Sequence, residues 1–180
     1  MPYLHNILIM EQNDLKLNSL IERANSGDMV AQYELAWHYL STDESKNAVG
    51  YFAKSAEQGY ALAQNDLGFC YKKGIGVERS DERAVELYSA AAGQGLAKAQ
   101  NNLGFCYLIG EGVERSYERA VGWFEKAVEQ GNEMAAFNLG KCYFEGLGVE
   151  KSVDEAKKWW TFGAERSDPK CIEALKSLEG

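Results

Sequence analysis

Proline is nearly absent, with two residues in 180. Proline interrupts helix interiors, so its scarcity leaves long stretches free to be helical. Histidine is as rare, at His5 and His38. No serine or cysteine therefore has an evident base and orienting acid, and the chain reads as a non-enzyme. Basic residues are outnumbered, 19 Lys and Arg against 27 Asp and Glu, for a net charge of −8. That balance excludes the basic face that nucleic acid requires and disfavours an anionic membrane surface. A basic protein partner suits it better. Long apolar runs are missing too. The stretch from Met1 to Met10 is apolar, but it has no Lys or Arg before it, and Glu11 to Asp14 follow directly. It suits neither a secretory signal nor a membrane span, and the chain reads as cytoplasmic.

What is present is repetition. Ala63-Gln64-Asn65-Asp66-Leu67-Gly68-Phe69-Cys70-Tyr71 returns 36 residues later as Ala99-Gln100-Asn101-Asn102-Leu103-Gly104-Phe105-Cys106-Tyr107. After another 36 it returns as Ala135-Ala136-Phe137-Asn138-Leu139-Gly140-Lys141-Cys142-Tyr143. A worn copy, Ala31 to Tyr39, lies 32 residues upstream of the first. A period of this length means one supersecondary unit stacked several times, a single body rather than separate domains.

Each unit reads as two helices. In the copy from Ala63, the first helix runs from about Tyr60 to Lys73 and closes at Gly74-Ile75-Gly76-Val77. Glycine there supplies a left-handed helix end and a tight bend. Ser80 is a suitable N-cap for a second helix reaching about Gly93, with Asp81 in its first turn. The next copies reuse this plan with Gly110, Gly112 and Ser116, then Gly146, Gly148 and Ser152. The first copy lacks the glycine turn, which accounts for its four missing residues and predicts a tighter loop around Ser41 to Ser45. Upstream, Asp14 to Asn25 shows one apolar helical face with Asn13 or Asp14 as cap, the second half of an eroded repeat. Asp168-Pro169 opens a last helix that caps the stack.

Gly68, Gly104 and Gly140 stand inside helices, where glycine costs about 1 kcal/mol against alanine. Their recurrence predicts close approach of a neighbouring helix, with Ala84, Ala120 and Ala156 opposite. Tyr71, Tyr107 and Tyr143 are expected to bury their rings and reach backbone partners with their hydroxyls. His38, Cys70, Cys106 and Cys142 occupy one column, spaced by helix packing of about 10 Å. That spacing exceeds the reach of a disulfide and of a shared zinc ion, so the cysteines read as reduced, packed thiols. The Gly-x-Gly-Val turns follow no strand and precede no Walker lysine, so they are not phosphate loops. No cofactor is implied.

The pattern Ala-x3-Leu-Gly-x2-Tyr-x2-Gly-x-Gly-Val-x6-Ala, followed by an aromatic pair, Ala and Gly, resembles the Sel-one-like repeat family, relatives of tetratricopeptide repeats. The resemblance covers about residues 27–168. It implies an all-α fold, a right-handed α-solenoid of antiparallel helix pairs, used as a protein–protein interaction scaffold or adaptor. On this plan residues 1–26 form an N-terminal cap with a partial repeat helix. Four repeats follow at 27–58 (shortened), 59–94, 95–130 and 131–167, and residues 168–180 form a C-terminal capping helix. By similarity to tetratricopeptide units, the first helix of each pair lines a concave groove. That assigns to partner binding Tyr33 and Trp37, then Asn65, Phe69 and Lys72. Asn101, Phe105 and Leu108 follow, and then Phe137, Lys141 and Phe144. Exposed rings with amides between them suit a bound peptide, helix or folded partner. The same rings at helical spacing also suit packing between repeats. The Glu78-Arg79, Glu114-Arg115 and Glu150-Lys151 pairs read as a solvated rim. An alternative to the adaptor is an immunity-type inhibitor that neutralises a basic toxin. A degenerate enzyme or small-ligand binder would need a deep closed pocket instead.

Overall fold

A computed structural model describes residues 15–178. The apolar stretch at the N-terminus and the Asn13 or Asp14 cap lie outside the described residues. All regular structure among the described residues is helical. Helix α1 is described over residues 15–25. It is followed by α2 (Met29–Ser41), α3 (Ser45–Glu57), α4 (Ala61–Lys73), α5 (Asp81–Gly93), α6 (Ala97–Ile109), α7 (Tyr117–Glu129), α8 (Glu133–Glu145), α9 (Val153–Ala164) and α10 (Pro169–Ser177). Packing groups the described residues into two compact units, divided between Arg79 and Ser80. The division falls after the glycine turn of the second repeat.

In the first unit α2 packs on α3, and α3 on α4. Leu17, Leu20 and Ile21 of α1 close over Ala24, Ala31 and Leu35. In the second unit each helix from α5 to α10 packs on the next, and the even-numbered helices α6, α8 and α10 also touch in series. Within each unit, short loops between packed helices force consecutive helices to run in opposite directions.

The predicted caps are present. The hydroxyls of Ser80, Ser116 and Ser152 accept from the backbone N–H three residues on, as do the side chains of Asn132 and Asp168. Gly74, Gly110 and Gly146 end their helices in the left-handed conformation, each donating its N–H to the carbonyl of the column cysteine, Cys70, Cys106 or Cys142. The second glycine of each turn has a separate role. A side chain at Gly76 would strike the backbone of Ser45, at Gly112 that of Asp81, and at Gly148 that of Tyr117. Each turn therefore seats on the first residue of the preceding repeat's second helix. In the first repeat Thr42 to Glu44 replace the turn, with Asp43 left-handed at φ 62°.

Two columns interlock at the helical glycines. Phe52, Tyr88, Phe124 and Trp160 stand 36 residues apart and are buried. A methyl group on Gly104 would come within 2.8 Å of the Phe124 ring, and one on Gly140 would strike the Trp160 indole. The close approach expected of alanine is thus made chiefly by an aromatic ring, with the Ala120 carbonyl 3.1 Å from the Gly104 position. Tyr107 differs from expectation: it is half-buried, and its hydroxyl accepts from Arg119 at 3.3 Å rather than meeting the backbone.

A glutamine column escaped the sequence reading. Gln32, Gln64 and Gln100 each donate to an alanine carbonyl in the last turn of the previous second helix, at Ala24, Ala56 and Ala92. The recurring Ala-Gln dipeptide was the available signal. The last helix also has a more specific identity than a cap. Asp168, Cys171 and Leu175 lie 36 residues after Asn132, Ala135 and Leu139, so α10 is equivalent to the first helix of a further repeat.

All four thiols are free and buried. Burial pushes the Cys70 and Cys142 thiols up to about 11. Burial and the Asp168 carboxylate push Cys171 up to about 12. A thiol harder to ionise in the fold than in the unfolded chain contributes stability that is complete below its ordinary value of 9.0 and lost as pH climbs through the raised value. The urea midpoint should therefore be level up to about pH 8.5 and fall above about pH 9. Cys142→Ala should lessen that fall. Iodoacetamide at pH 8 should label the native chain far more slowly than the urea-unfolded one, and equal rates would contradict the burial described.

Candidate functional site

The first helices of the repeats were expected to carry the site, and their burial sorts the expected residues into three groups. Four rings reach solvent: Trp37 at 47 % and Phe69 at 45 % exposure in the first unit, and Phe105 at 38 % and Phe144 at 36 % in the second. Tyr33, Lys72 and Phe137 are half-buried, and Lys141 is exposed. Asn65, Asn101 and Leu108 lie inside.

The inside group corrects the expected surface. Asn65 is wholly buried and donates to Asp66 at 2.7 Å. Asn101 accepts from Asn138 at 2.9 Å, which ties α6 to α8. Both amides are used on other side chains, Asn65's within α4 and Asn101's between helices, and both residues are buried. Leu108 belongs to the core with Val121, Phe124 and Leu139, while its neighbour Ile109 is the exposed residue at 39 %.

In the first unit Trp37 stands edge-on to Tyr33 at 6.5 Å and to Phe52 at 5.9 Å between ring centres. The Tyr33 hydroxyl donates to Asp66 at 2.9 Å, and burial pushes that phenol up to about 12. Tyr33 is thus committed to the fold and supports Trp37 from below. A cleft of about 430 Å³ between α1 and α2 is lined by Leu15, Leu20, Arg23 and Glu34, and it includes none of the expected residues.

In the second unit Phe137, Lys141 and Phe144 of α8 come together with Trp160 of α9 and Lys170 and Ala174 of α10 around a cleft of about 360 Å³. The Trp160 indole N–H donates to the Phe137 carbonyl at 3.1 Å, and the Phe144 ring lies 5.6 Å from the indole. Lys141 faces Glu145 at 3.8 Å, one turn along α8. Lys170 and Ala174 were missed by the sequence reading. The 36-residue offset that places Glu173 and Ser177 opposite Phe137 and Lys141 was the signal available. The rim pairs Glu78-Arg79, Glu114-Arg115 and Glu150-Lys151 are exposed, as expected of solvated charges.

Residues 30–60, 61–96, 97–132 and 133–168 each match the Sel1 repeat. The chain belongs to the Sel1 repeat family. Sel1 repeat proteins generally act in protein–protein interaction and are generally non-enzymatic scaffolds. Among solved structures, the chain is similar to c5321, a protective antigen of uropathogenic Escherichia coli displaying an SLR fold. The identity is 36 %, the TM-score 0.86, and the match covers 90 % of this chain and 36 % of that one. This Sel1 chain therefore spans about a third of that protein's length. It is also similar to a Sel1 repeat protein from Oxalobacter formigenes, at 29 % identity and a TM-score of 0.82, covering 96 % of this chain and 73 % of that one. Cysteine rich protein B of Helicobacter pylori matches at 26 % identity and a TM-score of 0.55, over 68 % of this chain and 92 % of that one. No curated protein sequence matches significantly. The all-α solenoid fold class is shared with these Sel1 structures. Among the described residues of this Sel1 chain, no helix is long and apolar enough to cross a membrane.

Proposed function

We propose that this Sel1 chain is a non-enzymatic adaptor whose first helices hold a peptide, a helix or a folded protein partner. The observation that carries this reading is on α6 and α8 of the second unit. Phe105 and Ile109 of α6 and Phe144 of α8 reach solvent there, and Phe144 lines the cleft at Phe137. Large exposed rings around a groove are the elements from which binding hot spots are built. The net charge of −8 supports a protein partner rather than nucleic acid or an anionic membrane. Four free, buried thiols support a cytoplasmic setting. The inhibitor alternative has no observation in its favour. The two clefts open to solvent, which is unlike the closed pocket that a small-ligand binder requires.

The test compares capture from a lysate of the source organism by the wild-type chain and by a Phe105→Ala/Ile109→Ala variant of equal helicity. A partner retained by the wild type should fall at least about tenfold with the variant. Undiminished capture of the same partner would remove this face from the function.

A further inference from the structure

We propose, building on the adaptor reading, that Tyr33 is a positioning residue: it fixes Trp37 of α2 in one orientation at the surface before a partner arrives. Trp37 is the most exposed aromatic ring among the described residues. An exposed side chain ordinarily turns between rotamers in picoseconds to nanoseconds. A partner that has to arrest it loses up to about tenfold in affinity. Here the fold has already met that cost.

Two rings wall Trp37 in. Tyr33 meets it edge-on with an interplanar angle of 81°, and Phe52, which is wholly buried, does so at 85°. Tyr33 is in turn pinned at three points. Its ring lies 5.7 Å from Phe52 and 5.3 Å from Tyr60, and its hydroxyl donates to Asp66 of α4 at 2.9 Å. With its pKa pushed up to about 12 by burial, the phenol remains a hydrogen-bond donor at neutral pH. Asp66 is itself buried and accepts from Asn65 at 2.7 Å. Turning Tyr33 away would take a hydrogen bond from a buried carboxyl group, and this holds the ring in place.

Joining one first helix to the next does not by itself call for a tyrosine. Tyr33, Asn65, Asn101 and Phe137 share one repeat position, and Asp66, Asn102 and Asn138 share another. In the second unit Asn138 donates to Asn101 at 2.9 Å, so two amides join α6 to α8 with no ring involved. In the first unit a tyrosine makes the equivalent joint to Asp66. What the tyrosine adds is a ring beneath the residue one turn on. That residue is Trp37, whereas Asn65 and Asn101 are followed one turn on by Phe69 and Phe105.

The test measures, by NMR relaxation on the full chain, the order parameter of the Trp37 indole N–H. Its signal is assigned by its absence from Trp37→Phe. In the wild type the value should be about 0.85, as for rigid backbone. Tyr33→Asn installs the residue that makes the joint at Asn101 and removes the ring. Its circular dichroism should be native, and its indole order parameter should fall below about 0.6. Tyr33→Phe keeps the ring and loses only the hydroxyl, and its value should lie between the two. In capture from lysate, Trp37→Ala should retain at least about tenfold less partner than the wild type, and Tyr33→Asn at least about threefold less.

An indole as mobile in the wild type as in Tyr33→Asn would overturn the proposal. If Tyr33→Asn does not fold, a wild-type order parameter in Tyr33→Phe would overturn it instead. So would capture that Trp37→Ala leaves unchanged, or undiminished capture by Tyr33→Asn of a partner that Trp37→Ala loses. A mobile indole together with capture that depends on Phe105 and Ile109 would overturn the positioning and uphold the adaptor reading. Absence of any captured partner would sink the adaptor reading, and the indole order parameter would then decide the positioning alone.

Discussion

Gly112→Ala is expected to destabilise the second unit by about 2–5 kcal/mol, whereas Gly110→Ala, two residues earlier, costs only about 1–2 kcal/mol. Both glycines are left-handed, at φ 75° for Gly110 and 71° for Gly112, so alanine meets backbone strain of about 1–2 kcal/mol at each. The surroundings separate them. A methyl group on Gly110 approaches the Cβ of Arg115, at 3.0 Å, which a small side-chain shift relieves. On Gly112 it runs into the carbonyl of Asp81 and lies 2.8 Å from the Glu82 nitrogen. That is backbone at the start of α5, which cannot move without lifting the turn, and forced repacking of this kind adds about 1–3 kcal/mol. Urea unfolding followed by circular dichroism measures the two costs, and hydrogen exchange at the first turn of α5 shows where the second acts. Equal midpoints for the two variants would mean that the turn does not depend on its seat.

Trp160→Ala should cost about 3–5 kcal/mol, the range for removing a buried aromatic side chain. Trp160 is almost wholly buried and shares a cluster with Ala156 and Cys171. Its indole fills the space that Gly140 leaves open. Trp160→Phe keeps most of that packing and loses the hydrogen bond to the Phe137 carbonyl, a loss of about 1 kcal/mol plus a small void. Chemical denaturation of the two variants should therefore give clearly separated midpoints. Coincident midpoints would show that the hydrogen bond, not the packing, is what Trp160 contributes.

The repeat, its helix ends and its turns were legible because identical residues return at a fixed interval. Ser80, Ser116 and Ser152, or Gly74, Gly110 and Gly146, each make the same bond each time. The surface of the first helices was less legible. From Ala63 to Gly68 every residue of α4 is buried, and α6 buries Asn101 and Leu108 along with its small residues. Helices packed on more than one side have no single apolar stripe, so spacing could not tell Leu108 inside from Ile109 outside. Phe69 and Phe105 stand out as exposed only once the neighbouring helices are in place. The cleft was beyond sequence reading for a related reason. Phe144, Trp160 and Lys170 come from three helices, and no spacing in the chain brings them together.

The seating of each glycine turn on the helix before it also bears on how such a chain can lengthen. A copy carries, in 36 residues, both the glycine that rests on its predecessor and the helix start that receives its successor. Duplication of an internal copy would thus join at both ends with no new sequence. The first repeat has Thr42 to Glu44 where the turn would be, and so lacks this joint. Growth in whole units is a route this architecture leaves open.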